Sequence, residues 1–493
     1  MVRIVRQTGL LVAMLLINSW TPGAGAALAA VNDAPVTDER IERAVEREIW
    51  TSDAMESHLV DVDVADGVVT LSGTVDNLFA KERSAQRAQL VKGVRAVVNK
   101  VDVDVDPIKD STIRSGIEDA IRTDPATEAF EISPVVQNGH VILRGTVESW
   151  AEKELAGAIA KSVKGVERLD NKIDVQPEFD RPDAELRQEI EQRLRWDASV
   201  DHALISVGVN NGHVTLEGTV GSAAEKARAI SDAYVNGVTF VEATDLGVEF
   251  WARDERLRAN KYEAVADDAI TEAVQDAFRF DPRIQSAGLQ VNADDGIVTL
   301  SGTVPNLRAK RVAEQTASNV VGVWRVKNHL RVRPIRVRPD ENIRADINNK
   351  LYQDTLVNDL LINITVRNGK ATLHGEVGSG FTKLRAGDIA ASVPGVVTVE
   401  NGLIVPTTDA LEIKHDWEIR QDIESELFWS PFVDSDDVNV EVDDGVATLT
   451  GTVESTIERR AAEDNAIEGG AVAVDNDLEL RDYNATMTEP LDS

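Results

Sequence analysis

Apolar and polar residues alternate along 60–65, with Val60, Val62 and Val64 set against Asp61 and Asp63. They alternate again along 68–75, where Val69, Leu71 and Val75 share a side. Between the runs stands Asp66-Gly67, a pair that tolerates φ > 0 at both centres of a type I′ turn. The pattern predicts a tight β-hairpin with one buried face. It is written five more times, around Asn138-Gly139, Asn211-Gly212, Asp295-Gly296, Asn368-Gly369 and Asp444-Gly445. A second glycine closes each copy, at Gly73, Gly145, Gly218, Gly302, Gly375 and Gly451. Six glycine-marked hairpins at a near-constant period mean a tandem repeat.

A third glycine follows in every copy: Gly93, Gly165, Gly237, Gly322, Gly395 and Gly470. The stretch between the second and third has helical character. Capping boxes open it at Ser149 with Glu152, Ser222 with Glu225 and Ser455 with Glu458. Asn77, Asn306 and Ser379 hold the same N-cap place elsewhere, and the third glycine is expected to cap the helix C-terminus. An alternating strand comes next, as at Val101, Val103 and Val105. Another amphipathic helix precedes each hairpin, spaced by Ile41, Val45 and Ile49 or by Leu186, Ile190 and Leu194. Each unit therefore reads helix-strand-strand-helix-strand. The fold class is α+β: six tandem two-layer modules, each a three-stranded sheet covered by two helices.

The expected boundaries are 37–106, 111–176, 182–249, 266–333, 338–405 and 414–481. Proline or charge marks the joints at 106–107, 177–183, 334–339 and 406–409, and a longer linker or hinge at 250–265 divides the chain three plus three. Units this small close only a marginal core, so beads with some mutual packing are expected. Residues 1–29 read as a cleaved signal peptide, with Arg3 and Arg6 before a short apolar run and small residues at Ala24-Gly25-Ala26 and Ala27-Leu28-Ala29. Residues 482–493 read as a disordered tail.

The repeat as a whole resembles the BON domain, the module of bacterial osmotically induced periplasmic and nodulation proteins. The resemblance rests on the hairpin D/N-G-x-V-x-L-x-G-x-V and on the later V-x-G-V. That second part is written here as Val91-Lys92-Gly93-Val94, Val163-Lys164-Gly165-Val166, Val321-Gly322-Val323 and Val393-Pro394-Gly395-Val396. Asn328, Asn401 and Asn476 match the strand asparagine of the pattern. The resemblance implies a periplasmic or envelope protein, stress-associated, that binds phospholipid or another envelope surface through a helix face.

Composition narrows the partners. Among 493 residues, 52 Lys plus Arg face 85 Asp plus Glu, a formal charge of −33. Nucleic acid is therefore not an expected partner, because phosphate binding is driven by Lys and Arg. There is no cysteine, which excludes disulfides, thiolate metal sites, a cysteine nucleophile and a lipidated-cysteine anchor. His140 and His213 follow their turn glycines as repeat-equivalent strand residues, with no second ligand at metal spacing. The Gly-Thr-Val ending is neither a nucleophile elbow nor a phosphate loop. No catalytic residue, metal site or cofactor is expected, and the protein does not read as an enzyme.

Two features stand above this background. Trp50, Trp196, Phe280 and Trp429 occupy roughly one position near the end of the first helix, where the other copies have Thr123 and Gln353. They are candidate interfacial aromatics, or rim plugs of small cores. The second feature is a basic island: Arg308, Lys310, Arg311, Arg325, Lys327, Arg331, Arg333, Arg336 and Arg338 stand against Glu314 alone. It is a candidate contact for an anionic surface, or an internal match for acidic neighbours. The function expected is a non-catalytic, exported, periplasmic protein that binds phospholipid or another envelope surface in osmotic stress. The alternative is a periplasmic scaffold whose partners are envelope proteins.

Overall fold

A computed structural model of the chain describes residues 36–480 except 52–59, 106, 125, 128–130, 177–180, 254–264, 280, 285, 287, 358–360, 379, 405–414 and 472, and the side chains at 50, 51, 380 and 381. The stretches expected to be a signal peptide and a disordered tail, and most of the expected 250–265 linker, lie outside these residues; the first part of that linker is the short 3-10 helix Phe250–Arg253.

The first module shows how the pattern folds. Helix Asp38–Thr51 leads into the hairpin Val60–Ala65 and Val68–Val75, then helix Leu78–Gln89 and a final strand in two pieces, Ala96–Asn99 and Asp102–Val103. The hairpin strands pair antiparallel, and the last strand pairs parallel with the second, which is therefore central. The helix between second and last strands supplies the crossover that parallel pairing requires. All six modules repeat this order. Each has its own core, in which apolar residues of both helices meet one sheet face. Asp66 and Gly67 both have positive φ, 53° and 72°, as a type I′ turn needs.

The second glycine answers to a different constraint. At Gly218 (φ 122°) a Cβ would stand 2.0 Å from the Leu204 carbonyl oxygen, so no side chain fits there. The third glycine departs from the expectation of a C-cap. Helix Leu78–Gln89 is capped by Leu90, and Gly93 lies three residues later. In the last module the cap is Gly469 and Gly470 follows it. These glycines turn the chain onto the module's own first helix: a Cβ at Gly237 or Gly322 would press on Leu186 or Ile270. The three expected capping boxes also differ. Ser149 with Glu152 closes a full box. Glu225 and Glu458 instead reach back to the N–H of Gly221 and Glu454, and across to those of Asp201 and Asp434.

The modules are joined beyond the linkers. Three pairs share one kind of seam. The Lys92 N–H donates to the Trp429 carbonyl (2.8 Å), Lys164 to Gln353 (2.9 Å) and Val321 to Trp196 (3.0 Å). In each, the loop after one module's second helix meets the end of another's first helix, pairing modules 1 with 6, 2 with 5 and 3 with 4. A second kind of contact uses the first residue of the second helix. Leu78 enters the core of module 2, Ala223 that of module 1, and Leu307 packs on module 5. The Trp150 indole donates to the Val238 carbonyl (2.6 Å), and the Thr456 hydroxyl donates to the Ser318 and Val323 carbonyls. Modules 1, 2 and 3 thus close a ring. Contacts from 4 to 5 and from 6 to 4 repeat two of its links, and the three seams tie the halves together.

Candidate anionic-surface site

The fourth module divides the basic island into three sets by where each residue falls in the local structure. Arg308, Lys310 and Arg311 lie on helix Leu307–Ser318. Arg308 is paired with the buried Asp124 of module 2, and Arg311 with Asp388 of module 5 at 2.6 Å. Both arginines line a cavity of about 330 Å³ between modules 2, 4 and 5, together with Lys350, Arg385 and Asp354. Burial lowers the Lys350 ammonium below its usual range. Lys310 is half-buried on the same helix. Arg338 forms a second set. It pairs with Asp346 at 2.5 Å and donates to the Pro394 carbonyl at 3.1 Å, which fastens the joint to module 5.

The third set stays outside. Arg325, Lys327, Arg331 and Arg333 lie on or just past strands Arg325–Asn328 and Arg331–Val332, and all are exposed, as is Arg336. Because strand side chains alternate between faces, the odd-numbered residues share one side and His329 joins them. Val326, Leu330 and Val332 turn to the core on the other side. The strands pair parallel with the middle of the sheet and no described strand pairs on their far side, so the cations run along a sheet edge. Among the described residues none of these five is in an ion pair.

The aromatic position lies at the seams. Trp196 packs against the core of module 4 and Trp429 against that of module 1, where the Arg40 guanidinium lies 5.3 Å from its ring centre. Their carbonyls accept the seam hydrogen bonds. Phe280 and the side chain of Trp50 lie outside the described residues.

The 1–6 seam also holds a group that sequence reasoning passed over. Glu48 of module 1 and Glu426 and Glu468 of module 6 bring carboxylate oxygens within 4.8 Å of one another. The Arg87 guanidinium donates to Glu48 (2.7 Å) and Glu468 (2.6 Å). Burial, then repulsion from Glu48, pushes Glu426 up to about 7. Burial and the Glu468 charge raise Glu48, against the pull of Arg87. The three glutamates carry no local signature because they come from opposite ends of the chain. His140 is half-buried at the start of the central strand His140–Val147, its Nε2 3.1 Å from Asp170. No described helix is long and apolar enough to cross a membrane.

The BON domain model matches residues 37–105, 109–177, 182–246, 266–334, 339–407 and 415–482. The chain is 32% identical over 143 residues to Osmotically-inducible protein Y of Escherichia coli, covering 28% of this chain and 71% of that protein. It is 30% identical over 136 residues to Outer membrane lipoprotein DolP of Haemophilus influenzae, covering 27% and 70%. A solved structure of CdsD, a structural protein of the type III secretion system of Chlamydia trachomatis, aligns over 45% of this chain and 98% of its own at 16% identity, with a TM-score of 0.13. With six matches that together span most of its length, the chain belongs to the BON-domain family.

Proposed function

We propose that the protein is a non-catalytic, exported envelope protein that binds an anionic phospholipid surface through the outer edge of its fourth module, and that it acts in osmotic stress. One observation carries the reading: four exposed cations along one sheet edge and a fifth, Arg336, in the segment that follows it, free of acidic partners among the described residues, in a chain whose formal charge is −33. Each Lys or Arg near an anionic membrane contributes about 1 kcal/mol. Repulsion from the acidic remainder falls away beyond about 8–10 Å at moderate salt, so a local site can act despite it. The stress and envelope setting is drawn from the names of the two relatives, one osmotically inducible and one an outer membrane lipoprotein.

The test is co-sedimentation of the chain with neutral and with anionic vesicles at low and moderate salt, beside a variant with Arg331, Arg333 and Arg336 changed to Glu. The expected result is binding to anionic vesicles alone, weakened by salt and abolished in the variant. Absence of binding under every condition would sink the lipid reading.

A further inference from the structure

The edge strand runs into the joint between modules 4 and 5, and there the sequence does something the joint between modules 1 and 2 does not. In the earlier joint Ile108 packs on the core of module 2 and lies against Gly165. At the equivalent place in the later joint, against Gly395, stands the stem of Arg338. The inward position being filled by an arginine, the two aliphatic residues of segment 334–339 point out: Ile335 is 75% exposed and Val337 100%. The segment is nevertheless held at both ends. The Arg333 N–H donates to the Val304 carbonyl at 2.8 Å. Arg338 is tied to Asp346 and Pro394, and Pro339 caps helix Asp340–Gln353. Pro334 and Pro339 restrict the backbone between those ties. Two exposed aliphatic side chains are thus presented by a segment tied at both ends, with the exposed Arg336 between them in sequence and the exposed Arg331 and Arg333 just before.

We infer that segment 334–339 is a membrane-insertion loop, whose Ile335 and Val337 enter the headgroup–acyl boundary of an anionic bilayer while Arg331, Arg333 and Arg336 meet lipid phosphates. The inference rests on the surface-binding reading above. Apolar side chains flanked by cations suit that boundary, where one layer is apolar and the next is anionic. The arginines supply the charge complementarity that commits the surface to anionic lipid. The contact differs from a helix face: here it is a joint between modules.

Because the chain has no cysteine, a single Val337→Cys label with an environment-sensitive dye reports this loop alone. It is compared with a Leu384→Cys label at another exposed aliphatic site, 68% exposed on helix Gly380–Ala391. Vesicles of phosphatidylglycerol and phosphatidylcholine are titrated in, and the unlabelled chain is compared with an Ile335→Asp, Val337→Asp variant. The expected result is a blue shift at 337 and none at 384, with affinity of the double variant down about tenfold or more, because both side chains lose apolar burial. Anionic-vesicle binding without a shift at 337, and unchanged in the variant, would overturn the insertion loop and leave surface binding standing. No vesicle binding by the unlabelled chain would remove both. A shift at 337 that grows with protein concentration in the absence of lipid would assign the loop to a second copy of the chain and overturn the membrane as its partner.

Discussion

The device repeated most faithfully at the residue scale is an aspartate that begins each first helix and holds the hairpin turn 28 residues later. Asp38, Asp110, Asp183, Asp267, Asp340 and Asp416 each accept from both backbone N–H groups of their Asn-Gly or Asp-Gly turn; for Asp183 the distances are 2.7 Å to Asn211 and 3.0 Å to Gly212. Sequence reading sees such an aspartate only as a favourable charge at a helix N-terminus, because nothing local reveals its second partner. Asp183→Ala should destabilise the third module by about 1–2 kcal/mol, since two N–H groups lose a charged acceptor. Asp183→Asn should lose less. Gly218→Ala should cost more than either, about 3 kcal/mol, because its Cβ cannot clear the Leu204 carbonyl 2.0 Å away without moving a strand. Denaturant unfolding of the three variants would check the order, and equal effects would contradict it.

At the scale of elements, the hairpins and N-cap residues were legible because turn chemistry is written locally: φ > 0 needs Gly, Asn or Asp, and N-caps need Ser or Asn. The seams were not. The first residue of the second helix is Leu78, Trp150, Ala223, Leu307 and Thr456 in five modules, so equivalent contacts carry no common residue type. The basic island was legible as a run of charge, but its division was not, since Asp124 and Asp388 are remote in sequence from Arg308 and Arg311. Helix Asp416–Trp429 gives the pH-sensitive element. Glu426 there faces Glu48 and Arg47 of module 1 and Glu468 and Asp422 of its own. Its pKa in the fold, about 7, lies above the ordinary glutamate value of 4.5. The stabilisation relative to the charged form is therefore complete below about pH 4.5 and is lost as pH rises through about 7. The 1–6 seam should weaken by about 2 kcal/mol between roughly pH 5 and pH 8. Glu426→Gln should flatten this dependence and leave the variant more stable than the parent at pH 8. Stability measured against pH for both proteins decides it, and identical profiles would remove Glu426 as the cause.

The whole molecule is a set of modules whose closest partners are often distant in sequence, and that makes a prediction a string of beads would not share. Module 1 is held by module 6 through the Lys92–Trp429 backbone bond, the packing of Trp429 on its core, and Arg87 between Glu48 and Glu468. Lys92 also places its ammonium 4.8 Å from the centre of the Phe250 ring and 4.6 Å from that of Phe428, which brings the start of the linker after module 3 to the same seam. Replacing Trp429 by Ala removes the packing without touching any residue of module 1. Burial of a large aromatic at an interface contributes about 2–3 kcal/mol, and local opening reports such losses where they fall. Hydrogen exchange should therefore speed up in residues 87–94 of module 1, although the substitution lies in module 6. The 2–5 seam, at Lys164 and Gln353, should keep its protection, because it shares no side chain with the altered one. Exchange that changes only within module 6 would mean that the seam carries no coupling, and the modules would then have to be treated as independent folding units joined by their linkers.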